Sequence, residues 1–127
     1  MKIISYIALL IIEVAVFSSG CDDTSTNIDN DEIPDSNVSY SKHIQPIFNV
    51  KCVSCHGVGT TEAGLDLTTW SGTRADPTVV FPGEPSNSSL VWVIELNPAV
   101  PHPQFPYLTE KQIKGVRTWI EEGADNN

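Results

Sequence analysis

Methionine and cysteine are both scarce in this chain of 127 residues. Met1 is its single methionine, and Cys21, Cys52 and Cys55 are its three cysteines. So few cysteines cannot form the disulfide framework on which many small secreted domains depend. Because the single methionine stands at position 1, no methionine thioether further along the chain is available as a metal ligand.

Basic residues are few as well: 7 lysines and arginines stand against 16 aspartates and glutamates, which gives a formal charge of -9. The excess is concentrated in residues 22–35, which contain six acidic and no basic residues, whereas six basic residues oppose nine acidic ones from residue 36 onward. This charge excludes the basic surface that binding to nucleic acid requires. We therefore expect no nucleic-acid partner, and the length allows a single domain.

The longest apolar run lies at the N-terminus. Lys2 is followed by apolar residues up to about position 17, interrupted by Glu13, and small residues occupy positions 18–20. The run is short for a membrane span, which needs about 20 apolar residues. The pattern is typical of a signal peptide over residues 1–20. A permanent transmembrane anchor is the alternative.

A lipid anchor and a tether are predicted directly after this signal. Gly20-Cys21 resembles the end of a bacterial lipobox, in which the cysteine is lipidated, although Ser18 stands where an aliphatic residue is usual. Residues 21–37 are acidic and almost without apolar side chains, which predicts a flexible tether before a domain at residues 38–127. The protein would then be exported and held at a membrane by its lipid, in the periplasm or at the cell surface. An unlipidated secreted form is the alternative.

The most specific motif is Cys52-Val53-Ser54-Cys55-His56. Two thiols three positions apart with a histidine directly after the second are the signature of c-type haem attachment. We predict that Cys52 and Cys55 bond the vinyl groups of one haem c, and that His56 binds its iron.

Two other kinds of site remain open for the same cysteines. A redox disulfide usually follows a strand and opens a helix in an alternating chain, and no such pattern surrounds residues 40–70. A zinc site would need two of His43, His56 and His102 in addition to the two cysteines. It lacks the second pair of closely spaced ligands that zinc sites usually show.

Helices and proline-rich loops are predicted around this motif. Thr109 and Gln112 form a capping box that opens the clearest helix, which Gly123 ends. The other predicted segments are a helix over residues 42–50 capped by Ser41, a turn and short helix within 60–73, a loop over 77–85, a helix over 86–96 opened by Ser86 or Asn87, and a loop with four prolines over 97–107.

In this order, the segments resemble the small single-haem cytochrome c domains of planctomycete-type bacterial proteins. The resemblance spans about residues 38–125 and implies an all-α, cytochrome c-like fold, with a few short helices around one covalently attached haem. It also implies that the first and last helices cross beside the haem. It depends on residues 41–48, 64–67, 82–85, 89–90, 108–110, 119–120 and 123–124.

The sequence departs from the family at the sixth iron ligand. In the family, a methionine followed by proline binds the iron from the side opposite the histidine, and here Val100-Pro101-His102-Pro103 stands at that place. Valine cannot bind iron, so His102 is the candidate for the sixth ligand. An open coordination position is one alternative, and ligation by His43 or another side chain is the other.

These predictions favour an electron carrier rather than an enzyme. We expect one-electron transfer outside the cytoplasm with an unidentified redox partner protein, at a potential lower than that of a methionine-ligated relative. A five-coordinate haem that senses small ligands, or acts as a weak peroxidase, is the first alternative. A haem subunit of a larger membrane complex is the second.

Overall fold

The computed structural model describes residues 32–100, 102 and 108–127. The predicted signal peptide, the lipid anchor at Cys21 and most of the acidic tether lie outside these residues, as do the prolines on both sides of His102. No helix in the described part of the chain is long and apolar enough to cross a membrane.

Helices dominate the described residues. A π-helical turn (Tyr40–Ile44) leads directly into helix α1 (Gln45–Lys51), and helices α2 (Trp70–Thr73), α3 (Ser89–Ile94) and α4 (Glu110–Glu121) follow. Short 3-10 turns lie at Glu62–Gly64 and Pro85–Asn87.

One antiparallel ribbon corrects the all-α expectation within the described residues. Strand β1 (His56–Gly57) pairs with strand β2 (Thr60–Thr61), so that His56 lies opposite Thr61. Gly59 turns the chain between the two strands with a φ of 86°, a conformation that glycine adopts without steric cost. The ribbon is too short to change the helical character of the fold.

The first helical segment begins earlier than the sequence predicts. The hydroxyl of Ser39 accepts a hydrogen bond from the Lys42 amide at 3.3 Å and caps the π-helical turn. Ser41, the predicted cap, instead donates its hydroxyl to the Asn127 carbonyl at 2.8 Å. Pro46 falls at the start of α1, where its missing N–H costs no helical hydrogen bond.

Helix α3 begins later than predicted, because Ser86 and Asn87 belong to the preceding 3-10 turn and Ser88 is the N-cap residue.

The predicted capping box of α4 is confirmed. The Thr109 hydroxyl accepts from the Gln112 amide at 3.2 Å, and the Gln112 side chain accepts from the Thr109 amide at 2.9 Å.

The core lies between the first helical segment and α4. The rings of Tyr40 and Trp119 have centroids 5.3 Å apart, and Phe48 packs edge-on against Tyr40 at 6.4 Å. The Tyr40 hydroxyl lies 3.2 Å from that of Thr73, which joins α2 to the same core. The buried side chains of this core are Ile44, Ile47 and Phe48 on one side, and Val116, Trp119 and Ile120 on the other.

A segment that we call the strap, residues 32–38, packs along α4 ahead of the predicted domain start at Val38. Ile33 is buried, and a Cβ atom at Gly115 would lie 2.6 Å from its side chain, so glycine makes room for it. The packed chain therefore begins before Val38, because an apolar side chain within the acidic stretch has a place in the core. Two ion pairs accompany it, Glu32 with Lys111 and Asp35 with Lys114.

Candidate haem site

The cysteine motif follows α1 in a tight series of turns. The amides of Cys52 and Val53 both donate to the Phe48 carbonyl at 2.9 Å, and the His56 amide donates to the Cys52 carbonyl at 2.9 Å. Gly57 then passes so close to Val53 that a Cβ atom there would lie 2.4 Å from the Val53 carbonyl oxygen. These contacts hold the two thiols and the imidazole on one turn of chain at the end of a helix buried against the core.

The two thiols have different surroundings. Cys52 is buried, and this burial raises the pKa of its thiol to about 12. Cys55 is exposed, and both sulfurs are free rather than joined in a disulfide. The structure thus brings the two cysteines to one site as free thiols.

Both cysteines border an open cavity of about 960 Å³. This volume lies near the upper end of the range of about 300–1,000 Å³ typical of small-molecule and cofactor sites. The segment after the ribbon and α3 both contribute apolar side chains to its wall. The lining residues are Lys51, Cys52, Ser54, Cys55, His56, Glu62, Ala63, Leu65, Leu67, Val79, Ser89, Leu90, Val93, Ile94, Val100 and His102.

His56 is held by main-chain groups on both of its sides. Its Nδ1 lies 3.1 Å from the Glu62 carbonyl oxygen, and its own carbonyl accepts the Leu67 amide at 2.8 Å. A carbonyl oxygen only accepts, so this contact requires the proton on Nδ1 and leaves the lone pair on Nε2 for a metal. The role of the Glu62 carbonyl could not be predicted from the sequence, because every residue type has a main-chain oxygen. The 3-10 turn after β2 brings this oxygen to His56.

His102 reaches the same cavity from the other side. Its Nε2 lies 3.5 Å from Nε2 of His56, the ring centroids are 5.8 Å apart, and the ring planes are inclined by 46°. The sequence predicts both histidines as iron ligands, and the structure brings their Nε2 atoms together from positions 46 residues apart in the sequence.

His43 is not brought to this site. Its Nδ1 accepts the Ser39 amide at 2.9 Å, and the residue does not line the cavity. Among the described residues, no group of three or more histidine, cysteine, aspartate or glutamate side chains is arranged to hold a metal ion. The structure therefore offers no support for the zinc alternative or for His43 as an iron ligand.

The residues at the site fit a covalently attached haem. Two unpaired thiols, an imidazole with its lone pair on Nε2 and apolar walls border one cavity of sufficient volume. Cys52 and Cys55 would hold the porphyrin edge, and His56 would hold the iron. A zinc ion would leave the large apolar wall without a function.

Comparison with known families agrees with this chemistry. Residues 52–98 match the family model described as Planctomycete cytochrome C. The matched range begins at the first cysteine of the motif and ends before His102. No curated protein and no solved structure matches the chain. The match over residues 52–98, together with the motif at its start, supports a planctomycete-type cytochrome c-like domain.

Proposed function

We propose that this chain is a haem c protein that transfers single electrons outside the cytoplasm. The observation that supports it most directly is the cavity in which two free thiols and the Nε2 atom of His56 meet apolar walls. A bound haem would supply the one-electron couple between ferric and ferrous iron.

The protein's own residues then act as a rigid holder. Cys52 and Cys55 fix the porphyrin edge to the end of α1, and the Glu62 carbonyl fixes the orientation and tautomer of His56. Apolar side chains such as Leu67 and Leu90 exclude water from the cavity. An apolar shell of this kind lowers the local dielectric and sets the redox potential.

Electrons would enter and leave on the exposed side of the motif. Cys55 is exposed, and Val58, at the turn of the ribbon, is 86% exposed. We propose that a redox partner protein docks on this side, where the haem edge bonded to Cys55 would lie closest to solvent.

The carrier role fits the cavity better than an enzymatic one. A haem peroxidase needs an acid and a base beside the open coordination position of the iron. Among the described residues that line the cavity, His102 is the histidine opposite His56, and none is an arginine. One group does not make the required pair.

Membrane attachment forms part of the same proposal. The apolar run before Cys21, the small residues at 18–20 and the acidic segment after it support an exported lipoprotein in the periplasm or at the cell surface. Membrane fractionation compared between the natural chain and Cys21→Ser tests this. A variant that stays with the membrane as firmly as the natural chain contradicts the lipid anchor.

Haem attachment is tested by producing the chain in a host that exports proteins and attaches haem c. The natural chain and the control Cys21→Ser should hold a haem that acidic acetone does not extract, and a potentiometric titration should follow a one-electron curve. Cys52→Ser/Cys55→Ser should lose the covalent haem. A colourless natural chain, or one that releases its pigment to acidic acetone, overturns the proposal.

A further inference from the structure

We infer that His102 is the second axial ligand of the haem iron, trans to His56, so that no coordination position stays open. The inference concerns the same cavity and depends on the proposed haem attachment. The family match ends at residue 98 and says nothing about this position.

The two imidazoles point at each other along one axis. Their ring centroids are 5.8 Å apart, which is 2.3 Å more than the 3.5 Å between their Nε2 atoms. The centre of an imidazole ring lies half that difference from each of its nitrogens. The centroid distance can therefore exceed the Nε2–Nε2 distance by no more than this amount. It reaches that limit only when both Nε2 atoms lie between the centroids, on the line that joins them. A trans pair of axial ligands requires this alignment.

The separation of the nitrogens also suits a metal between them. Metal–imidazole bonds are about 2.0 Å long in zinc proteins, so a metal midway between two nitrogens requires them about 4 Å apart. The observed 3.5 Å is slightly short of this. A small outward movement of His102 makes room for the ion. The 46° between the ring planes does not prevent binding, because each ring can rotate about the line through the two Nε2 atoms.

A turn at Asn97 directs the chain before His102 to the cavity wall. Asn97 accepts the Val100 amide on its carbonyl at 3.0 Å and the Ala99 amide on its side chain at 2.9 Å. This turn sets Val100 in the cavity wall together with His102. The composition offers no competing methionine, and His43 lies outside the cavity.

Two strong-field nitrogen ligands would make the iron six-coordinate and low-spin in both oxidation states. Exogenous ligands such as carbon monoxide would then have to displace an imidazole before binding. The inference therefore favours electron transfer over the sensing of small ligands at this haem.

The test compares the haem-loaded natural chain with His102→Ala, His102→Met and the control His43→Ala. The natural chain and His43→Ala should show low-spin ferric spectra by optical absorption and electron paramagnetic resonance, and their ferrous forms should bind carbon monoxide slowly. His102→Ala should lose the low-spin spectrum and bind carbon monoxide on mixing. His102→Met should restore a low-spin haem at a higher reduction potential, because methionine–histidine ligation raises the potential.

A high-spin natural chain, rapid carbon monoxide binding by it, or an unchanged low-spin spectrum in His102→Ala overturns the inference. If His102→Ala does not accumulate, the spectrum of the natural chain and the potential of His102→Met still decide the question. If the natural chain retains covalent haem but is high-spin, the result refutes only the inference that His102 is the second iron ligand beside His56. A natural chain without covalent haem refutes the proposed function instead.

Discussion

At the scale of single residues, Cys52 and Cys55 differ most in chemical environment. Burial raises the pKa of Cys52 to about 12, whereas Cys55 is exposed. The thiolate is the reactive form of cysteine. In the haem-free chain at neutral pH, we therefore expect iodoacetamide to alkylate Cys55 well before Cys52, as measured by peptide mass spectrometry.

The matched control for this prediction is the same reaction in denaturant, where the two rates should converge. Equal rates under native conditions would mean that Cys52 is not buried at the end of α1. The comparison separates the folded environment from any intrinsic difference between the two positions in the motif.

The residues with a proposed covalent role were the easiest to predict from the sequence. The spacing of Cys52, Cys55 and His56 matches the shape of a porphyrin, and this match does not depend on the surrounding fold. His102 and His43 could not be ranked securely from sequence, because their distance from the motif depends on how the chain returns to the cavity. The structure brings His102 to His56 and leaves His43 with the Ser39 amide.

At the scale of elements, the capping box of α4 gives a measurable prediction. Thr109→Ala removes the hydroxyl that accepts the Gln112 amide. Loss of such a cap costs about 0.5–2 kcal/mol, and about 1 kcal/mol lowers the melting temperature of a domain of this size by roughly 4–8 °C. Thermal unfolding followed by circular dichroism should show this decrease.

The matched control is Glu121→Ala, an exposed position at the other end of the same helix, where a much smaller change is expected. Equal effects of the two substitutions would contradict a stabilising role for the capping box. Helix α4 supplies Val116 and Trp119 to the core, so its stability bears on the whole fold.

The strap gives a pH-dependent prediction. The hydrogen bond and charge of Lys114, aided by the charge of Lys111, lower the pKa of the Asp35 carboxyl below its ordinary value of 3.8. A carboxyl with a lowered pKa in the folded state stabilises that state above pH 3.8, and the contribution disappears as the pH falls through the lowered value. Asp35→Asn should therefore weaken protection of the strap amides from hydrogen exchange at neutral pH.

The same comparison well below pH 3.8 provides the internal control, because the natural carboxyl is then protonated as well. Protection factors of Asn37 and Val38, whose amides donate to the Glu122 carboxylate at 2.6 and 2.9 Å, report on the docked strap. A difference between the natural chain and Asp35→Asn that persists in acid would contradict the ion-pair account. High salt should reduce the difference at neutral pH, since the pair is exposed.

Long elements were predicted from the sequence more accurately than short ones. Helix α4 repeats its apolar spacing over three turns and begins at a capping box, so its bounds were predictable. The two-residue strands of the ribbon are too short to show an alternating pattern. The start of the first helical segment was missed because Ser39 and Ser41 are equally suitable caps by type. Both hydroxyls donate to the Asn127 carbonyl, and Ser39 is distinguished by also accepting the Lys42 amide.

At the scale of the whole molecule, the site is assembled from parts that are distant in sequence. The end of α1 and the ribbon supply the thiols and His56, α3 supplies apolar wall, and the segment before α4 supplies His102. The family match covers only the first two of these parts. The family match therefore supports the proposed haem attachment, whereas the proposed second axial ligand is inferred from this chain's own fold.

A fold built around so large a cavity should depend on what fills it. Several apolar side chains, among them the half-buried Leu65 and Val93, line about 960 Å³ of open space. Burying a fully exposed side chain of this kind contributes about 1.5–3 kcal/mol, so covering each half-buried one contributes part of that amount. A covalent haem also acts as the staple that a small domain with few cysteines otherwise lacks. Cys52→Ser/Cys55→Ser, produced without haem, should therefore melt more than about 10 °C below the haem-loaded natural chain.

Circular dichroism at equal protein concentration measures this difference, with haem-loaded Cys21→Ser as the control that lacks a cysteine but keeps the motif. The natural chain produced without haem separates the loss of the cofactor from the two serine substitutions, and it should melt together with the double variant. If all four proteins melt at the same temperature, the apolar wall is not covered by the haem. The cavity at the end of α1 would then have to be stable without a cofactor, with half-buried apolar side chains such as Leu65 and Val93 left in contact with water.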